Sequence, residues 1–429
     1  MAKKVNIARQ DTLEEVLNII KTEAVYGFIE HNAILAPSTR IEYIGANKNY
    51  TPITITKGGG YSLGDWGDFP WLKANKPYMV RSDGTADYRL DENDYTKKED
   101  GTASDVANAD YDGGAFAWAQ KIYKREYTSG DDRYVLFRFE KADGFEPVGF
   151  IDPDNKELEG VWIPMFYGSI ISDKMKCISG NQPVYNKNTS QEKAAIDAFG
   201  TRAKFFGGAI VETLVDLMLL FGKNCDLQEV YGTGNCSGYD ASQEPTYGVK
   251  RNAVVNGGQF YGTNDNTSLN KIFHSIVLGS YNQWLRDPYV VCANGELKVS
   301  KNYTYDVSGA SYETTGIKYL IGDTNWHYPS RYVSVAGFGS VPEMPFKGST
   351  KLGGCDGIII NETITAVSLL FGNCSNGLLA GPRTRNLNGT AGAAYWDIGA
   401  AILLLPPVGV AASGVWGCAK HNSPTKLNI

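Results

Sequence analysis

The 429-residue chain lacks most of the clustered patterns that announce a reaction. Its seven cysteines, Cys177, Cys225, Cys236, Cys292, Cys355, Cys374 and Cys418, are scattered, odd in number and without a Cys-x-x-Cys pair. That spacing excludes a zinc knuckle or a compact disulfide framework as the organising element. The four histidines, His31, His274, His327 and His421, show no metal-ligand spacing, so no metal and no cofactor is expected. No G-x-x-x-x-G-K-[ST] loop is present to cradle a phosphate, and no strand-to-helix nucleophile elbow is expected. The chain is therefore read as not an enzyme.

Charge and hydropathy exclude further classes. The net charge of −6 is mild for this length, and no basic run or basic stripe interleaved with aromatics occurs, so no nucleic-acid partner is expected. The longest apolar run, "AAILLLPPVGVAA", is short and broken by Pro406 and Pro407, so no membrane insertion is expected. The opening "MAKKVNIARQDTLEEV" has no apolar core of a secretory signal, which points to a protein made in a cytoplasm. The acidic stretch "DENDYTKKEDGTASDVANADYDGG" misses the EF-hand spacing and is expected to be a solvated loop.

What the chain does have is glycine and aromatic rings: 48 Gly, 26 Tyr, 17 Phe and 8 Trp. That pairing favours short strands and tight turns over a helical bundle. Thr12 and Glu15 stand at capping-box spacing before Leu13, Val16, Leu17 and Ile20, which predicts a short amphipathic helix. "DRYVLFRFEK" alternates as a half-buried strand, with Val135, Phe137 and Phe139 inward and Leu136 and the two arginines outward. Residues 190–224 form the main helical segment, capped by Ser190, interrupted at Gly207 and Gly208, and resuming in "AIVETLVDLMLLFG", whose apolar residues cover most faces and predict burial. Asn294-Gly295 marks a two-residue hairpin turn. The fold class is α+β, with a β-rich domain at 1–165, a helical and turn-rich segment at 166–245, and a further irregular domain at 246–429.

The stretch "LLFGNCSNGLLAGPRTRNLNGTAGAAYWDIGAAI" resembles the C-type-lectin-fold modules of bacteriophage receptor-binding proteins. It is especially similar to variable proteins diversified by retroelements, of the major tropism determinant type. The shared frame falls on Gly372, Asn376, Gly377, Gly381, Leu387, Asn388, Trp396, Ile398 and Gly399, and "GGQFYGTNDNTSLNKIF" and "SYNQWLRDPYVV" extend the likeness upstream. Segments before residue 250, such as "GFEPVGFIDPDNKELEGVWIPMFYGS", resemble tail-associated or fibre-like proteins of gut bacteriophages. The chain has Cys374 where many members carry Trp, and Ala400 and Ala401 where they carry Arg.

The resemblance implies a virion protein, made in a bacterial host cytoplasm, in which 1–165 serves virion attachment and oligomerisation and 246–429 is a lectin-like ligand-binding domain. Trp396 and Ile398 are expected in the core. The exposed binding face is expected on Asn373, Ser375, Leu378, Leu379, Arg383, Arg385, Asn386, Thr390, Tyr395 and Asp397. Such a face mixes rigid rings and arginines with adaptable polar residues, as binding loops do. Its partners would be a host cell-surface glycan or protein and other virion proteins, with a homo-oligomer, first of all a trimer, supplying avidity. Two other roles fit the same residues: a structural capsid decoration, neck or baseplate component, and a glycan-active tailspike enzyme.

Overall fold

The computed structural model describes residues 24–407. The capping box and helix expected over residues 12–20 lie outside that range, as do Cys418 and His421. The described chain is α+β and rich in strands, as its composition implied.

The first sheet has four antiparallel strands in the order Ile41–Gly45, Tyr26–His31, Asp132–Arg138, Tyr123–Ser129. Asp132–Arg138 alternates strictly between half-buried and buried positions. Period-two parity places Arg133 on the same side as Val135 and Phe137, so one of the two arginines expected to face outward is fully buried. The second sheet has six strands, ordered Ala203–Phe205, Ile402–Leu404, Gly160–Pro164, Gly113–Gln120, Pro77–Arg81, Ala86–Arg89. "AILLLPP" thus becomes an inner strand, with Leu404 opposite both Trp162 and Ala203. Strands from all three segments drawn from the sequence share this sheet, and one core runs from Tyr26 to Leu405.

The third and largest sheet is built around the long strand Trp284–Ala293, flanked by Glu296–Val299 and Thr365–Leu370. Asn294 and Gly295 form its hairpin turn with φ of 50° and 82°, the left-handed pair that a type I′ turn requires. Arg385–Leu387 and Ile358–Ile360 continue the sheet, and Ile398–Gly399 adds in parallel to Trp284–Leu285.

Two helices pack between the sheets. Thr189–Phe199 is capped by Asn188, whose side chain and Gln191 form a reciprocal capping box. The cap therefore lies two residues before Ser190. The second helix, Ala209–Gly222, is buried at all of its positions. It nevertheless carries Glu212 and Asp216, one turn apart, and both accept buried cations. The abundance of rings is explained by edge-to-face packing: Tyr26, Tyr43, Tyr50, Phe69 and Phe221 surround the buried Trp66 with centroids 5.0 to 6.3 Å away.

Gly208, which caps the buried helix, has φ 64° and ψ −145°, a region open in practice to glycine alone. A Cβ there would stand 3.0 Å from Tyr289 Cβ. Gly208→Ala is expected to lower the unfolding free energy by about 2–3 kcal/mol in urea titrations. A loss under about 0.5 kcal/mol would show that the backbone relaxes at no cost.

Candidate functional site

The segment 371–399 leaves the strand Thr365–Leu370 through a left-handed turn at Phe371 and Gly372, with φ of 73° and 90°. It makes a short 3-10 turn at Gly377–Leu379, crosses the large sheet as Arg385–Leu387 and returns as Ile398–Gly399. The glycines of the frame have local causes. Gly377 also has positive φ, Gly381 passes against the buried Asp356 carboxylate, and a side chain on Gly399 would strike the Val184 carbonyl and Gln283.

Three of the ten residues expected on the exposed face are inside the protein. Arg383 is 8% exposed and grips both carboxylate oxygens of the buried Glu30 at 2.9 Å, while its guanidinium lies 3.4 Å from the Tyr332 ring centroid. Glu30 also receives Arg40 Nε and Arg133 Nε, each at 3.0 Å. Arg385 is 4% exposed; it pairs with Glu212 and donates to Ser368 Oγ at 3.0 Å, with Asp287 3.4 Å away. Its strand is interior to the sheet, and its inward parity forces a charged side chain to find acceptors. Asn373 is 3% exposed and acts as a clamp. Its backbone N–H donates to Asn376 Oδ1, its Nδ2 donates to Asp397 Oδ2 at 2.5 Å, and its Oδ1 accepts from Ser375.

The other seven reach solvent to differing degrees. Ser375, Leu378, Thr390 and Tyr395 are exposed, with Leu378 at 45% and Tyr395 at 60%. Leu379, Asn386 and Asp397 are half-buried. Burial raises the Asp397 carboxyl above its usual value, and the Asn373 amide opposes that. Ile398 is core, packed with Trp284 and Leu369. Trp396, expected in the core, is half-buried instead.

The reason is a neighbour that sequence separation conceals. Tyr239 and Tyr247, from a turn-rich loop about 150 residues earlier, take up the Trp396 ring at centroid distances of 5.7 and 5.1 Å. The two tyrosine rings are nearly parallel, 9° apart. Backbone bonds lock this loop to the face: Tyr239 N–H donates to the Cys374 carbonyl and Gly377 N–H to the Cys236 carbonyl. Beside Tyr239 opens a polar cleft of about 280 Å³ lined by Ser237, Asp240, Gln243, Lys250 and Thr267 among others. The alternation of Tyr, Gly and Asn in "YGTGNCSGYDASQEPTYG" was the available signal, since such composition serves binding loops as well as turns.

Gly60-Tyr61-Ser62-Leu63-Gly64 carries the G-x-S-x-G spacing of a nucleophile elbow, although no elbow was expected. It forms one arm of a small hairpin in which Thr54 pairs with Ser62, and Ser62 Oγ accepts from Gly64 N–H. Only a single 3-10 turn, Gly64–Trp66, follows, not the α-helix that a nucleophile elbow requires. The described histidines are engaged elsewhere: His31 with Glu42 and Asp132, His274 with Tyr95, His327 with Asp323. Among the described residues no group of three His, Cys, Asp or Glu side chains could hold a metal ion, and no helix is long and apolar enough to cross a membrane. The six described cysteines are free and buried, and burial pushes the Cys177 thiol up to about 12.

No protein-family model matches the chain, and no curated protein matches it.

Proposed function

We propose that the chain is a non-enzymatic bacteriophage virion protein, of a tail fibre, tail tip or similar part, that binds a host-surface ligand through a lectin-like carboxy-terminal module. One observation carries the reading: the loop bearing Tyr239 and Tyr247 is tied by backbone bonds at Cys374 and Gly377 to the segment that exposes Leu378 and Tyr395, while the buried arginines of that segment anchor it to the core. An interface needs such a combination of aromatic anchors, adaptable polar rim and rigid support. Because the outward residues bear little of the core, they tolerate change, which suits a surface under pressure to vary. Weak contacts of this size gain from repetition, so the functional unit is a homo-oligomer, with a trimer as the first expectation.

The test is a competition assay in which purified chain blocks phage adsorption. Leu378→Asp combined with Tyr395→Ala is expected to leave stability within about 0.5 kcal/mol of the parent while weakening competition about tenfold or more. Unchanged competition by a folded variant sinks the binding face. The structural-component reading predicts a different outcome: these residues buried against a neighbouring subunit in the assembled particle.

A further inference from the structure

Resting on the binding reading above, we propose that this face takes a saccharide: a pyranose ring stacked on Tyr239, with the adjoining cleft supplying the polar contacts. A pyranose offers one face of C–H groups and a rim of hydroxyls. It is recognised by a rigid ring that presents its electron-rich face, set beside donors and acceptors that are already in place.

Tyr239 meets the first requirement. It is 49% exposed, yet its ring is backed by Tyr247 at 6.1 Å and braced by Trp396 at 5.7 Å. Its backbone N–H is tied to the Cys374 carbonyl at 2.9 Å, and Asp240 N–H is tied to the Tyr247 carbonyl at 3.0 Å. Tyr247 is itself fixed by its hydroxyl bond to Glu244 at 2.6 Å. The platform therefore loses little freedom on binding, and that pre-organisation favours affinity.

The cleft meets the second. Asp240 is held as a fixed acceptor, with Oδ1 bonded by the Ser242 N–H and hydroxyl and Oδ2 by the Gln243 amide. Lys250 is exposed, and its ammonium makes no hydrogen bond or ion pair with the described residues, so its three donors are free for hydroxyls or an acidic substituent. Ser237 and Thr267 complete a wall of hydroxyl and amide groups around about 280 Å³, room for about one sugar residue. A protein epitope would instead call for a broader apolar centre than this small polar recess provides.

The full chain, fluorescently labelled, is applied to a printed array of defined bacterial oligosaccharides with and without EDTA. The expected result is saturable, EDTA-insensitive binding to at least one pyranoside. It should weaken about tenfold or more in Tyr239→Ala and stay within about twofold in Tyr239→Phe, which keeps the ring. Absence of saturable binding, or equal binding by a folded Tyr239→Ala protein, overturns the saccharide. Bacterial cells labelled by the chain separate the two levels of the proposal. Labelling that is abolished by Leu378→Asp but survives periodate and is lost on protease treatment keeps the face and rejects the saccharide. Labelling that ignores Leu378→Asp rejects the face itself.

Discussion

Arg383→Met is expected to cost about 3–5 kcal/mol of unfolding free energy, although the residue lies in the segment whose other side chains make the binding surface. Burial alone would push the Glu30 carboxyl up, but Arg383, Arg40 and Arg133 together hold it well below the usual carboxylate range. Removing one guanidinium leaves a fully buried carboxylate with less than its complement of donors, and the surrounding apolar atoms offer no replacement. The contact also closes the chain: Glu30 lies on the first described strand and Arg383 is 353 residues later. Arg133 extends the cluster to Asp216 on the buried helix at 2.7 Å, and Lys124 reaches the same carboxylate at 3.0 Å. Urea denaturation of Arg383→Met, Glu30→Gln and the double variant checks the prediction. The double variant should be markedly less unstable than the two single losses added together, because it removes both the charge and its unmet need. A single-variant loss below about 1 kcal/mol would show that water or Tyr332 satisfies Glu30, and would return Arg383 to the surface candidates.

Local chemistry was legible in the sequence wherever the cause lies within a few residues. Asn294-Gly295 makes its hairpin because a type I′ turn accepts those two residues and few others. The helix over 209–222 was readable as buried because apolar residues occupy most of its circumference, and the same helix hides the two acids that receive Arg385 and Arg133. The arginines at 383 and 385 were misplaced for a related reason. A charged residue in a polar, glycine-rich stretch has the composition of a surface, and its burial is decided by Glu30, Glu212 and Asp287, none of them close in sequence. Trp396 erred in the opposite direction. Its size suggested core, but its neighbours are the rings of a distant loop that itself remains half open. The frame of 371–399 was therefore visible in the sequence, and the division of its side chains between inside and outside was not, because that division depends on long-range partners.

A second large effect is expected from pH: stability should fall as pH rises from about 5 to 8, by about 3 kcal/mol for Glu192 alone. Burial pushes Glu192 up to about 7, with the Arg286 guanidinium opposing the rise. Burial likewise pushes Asp287 up to about 6 against Arg385, and Glu126 is raised by burial with Asp216 nearby. A carboxyl with a raised folded value binds its proton more tightly in the native state. Its stabilising contribution is complete below the ordinary carboxyl range near 4 and is lost as pH climbs through about 6 to 7. Glu30 and Asp216 are lowered, so their contribution is present above that range and lost only as acid protonates them. The two groups together place the stability maximum on the acid side of neutrality. Thermal melts from pH 4 to 8 read the effect, and Glu192→Gln, which keeps the side chain uncharged as the protonated carboxyl is, should flatten the slope between pH 5.5 and 7.5. A melt that rises across that interval in the parent chain rejects the assignment. The same arginine donates to the Ala393 carbonyl at 3.0 Å, two residues before Tyr395, and so ties Glu192 to the backbone of the candidate face.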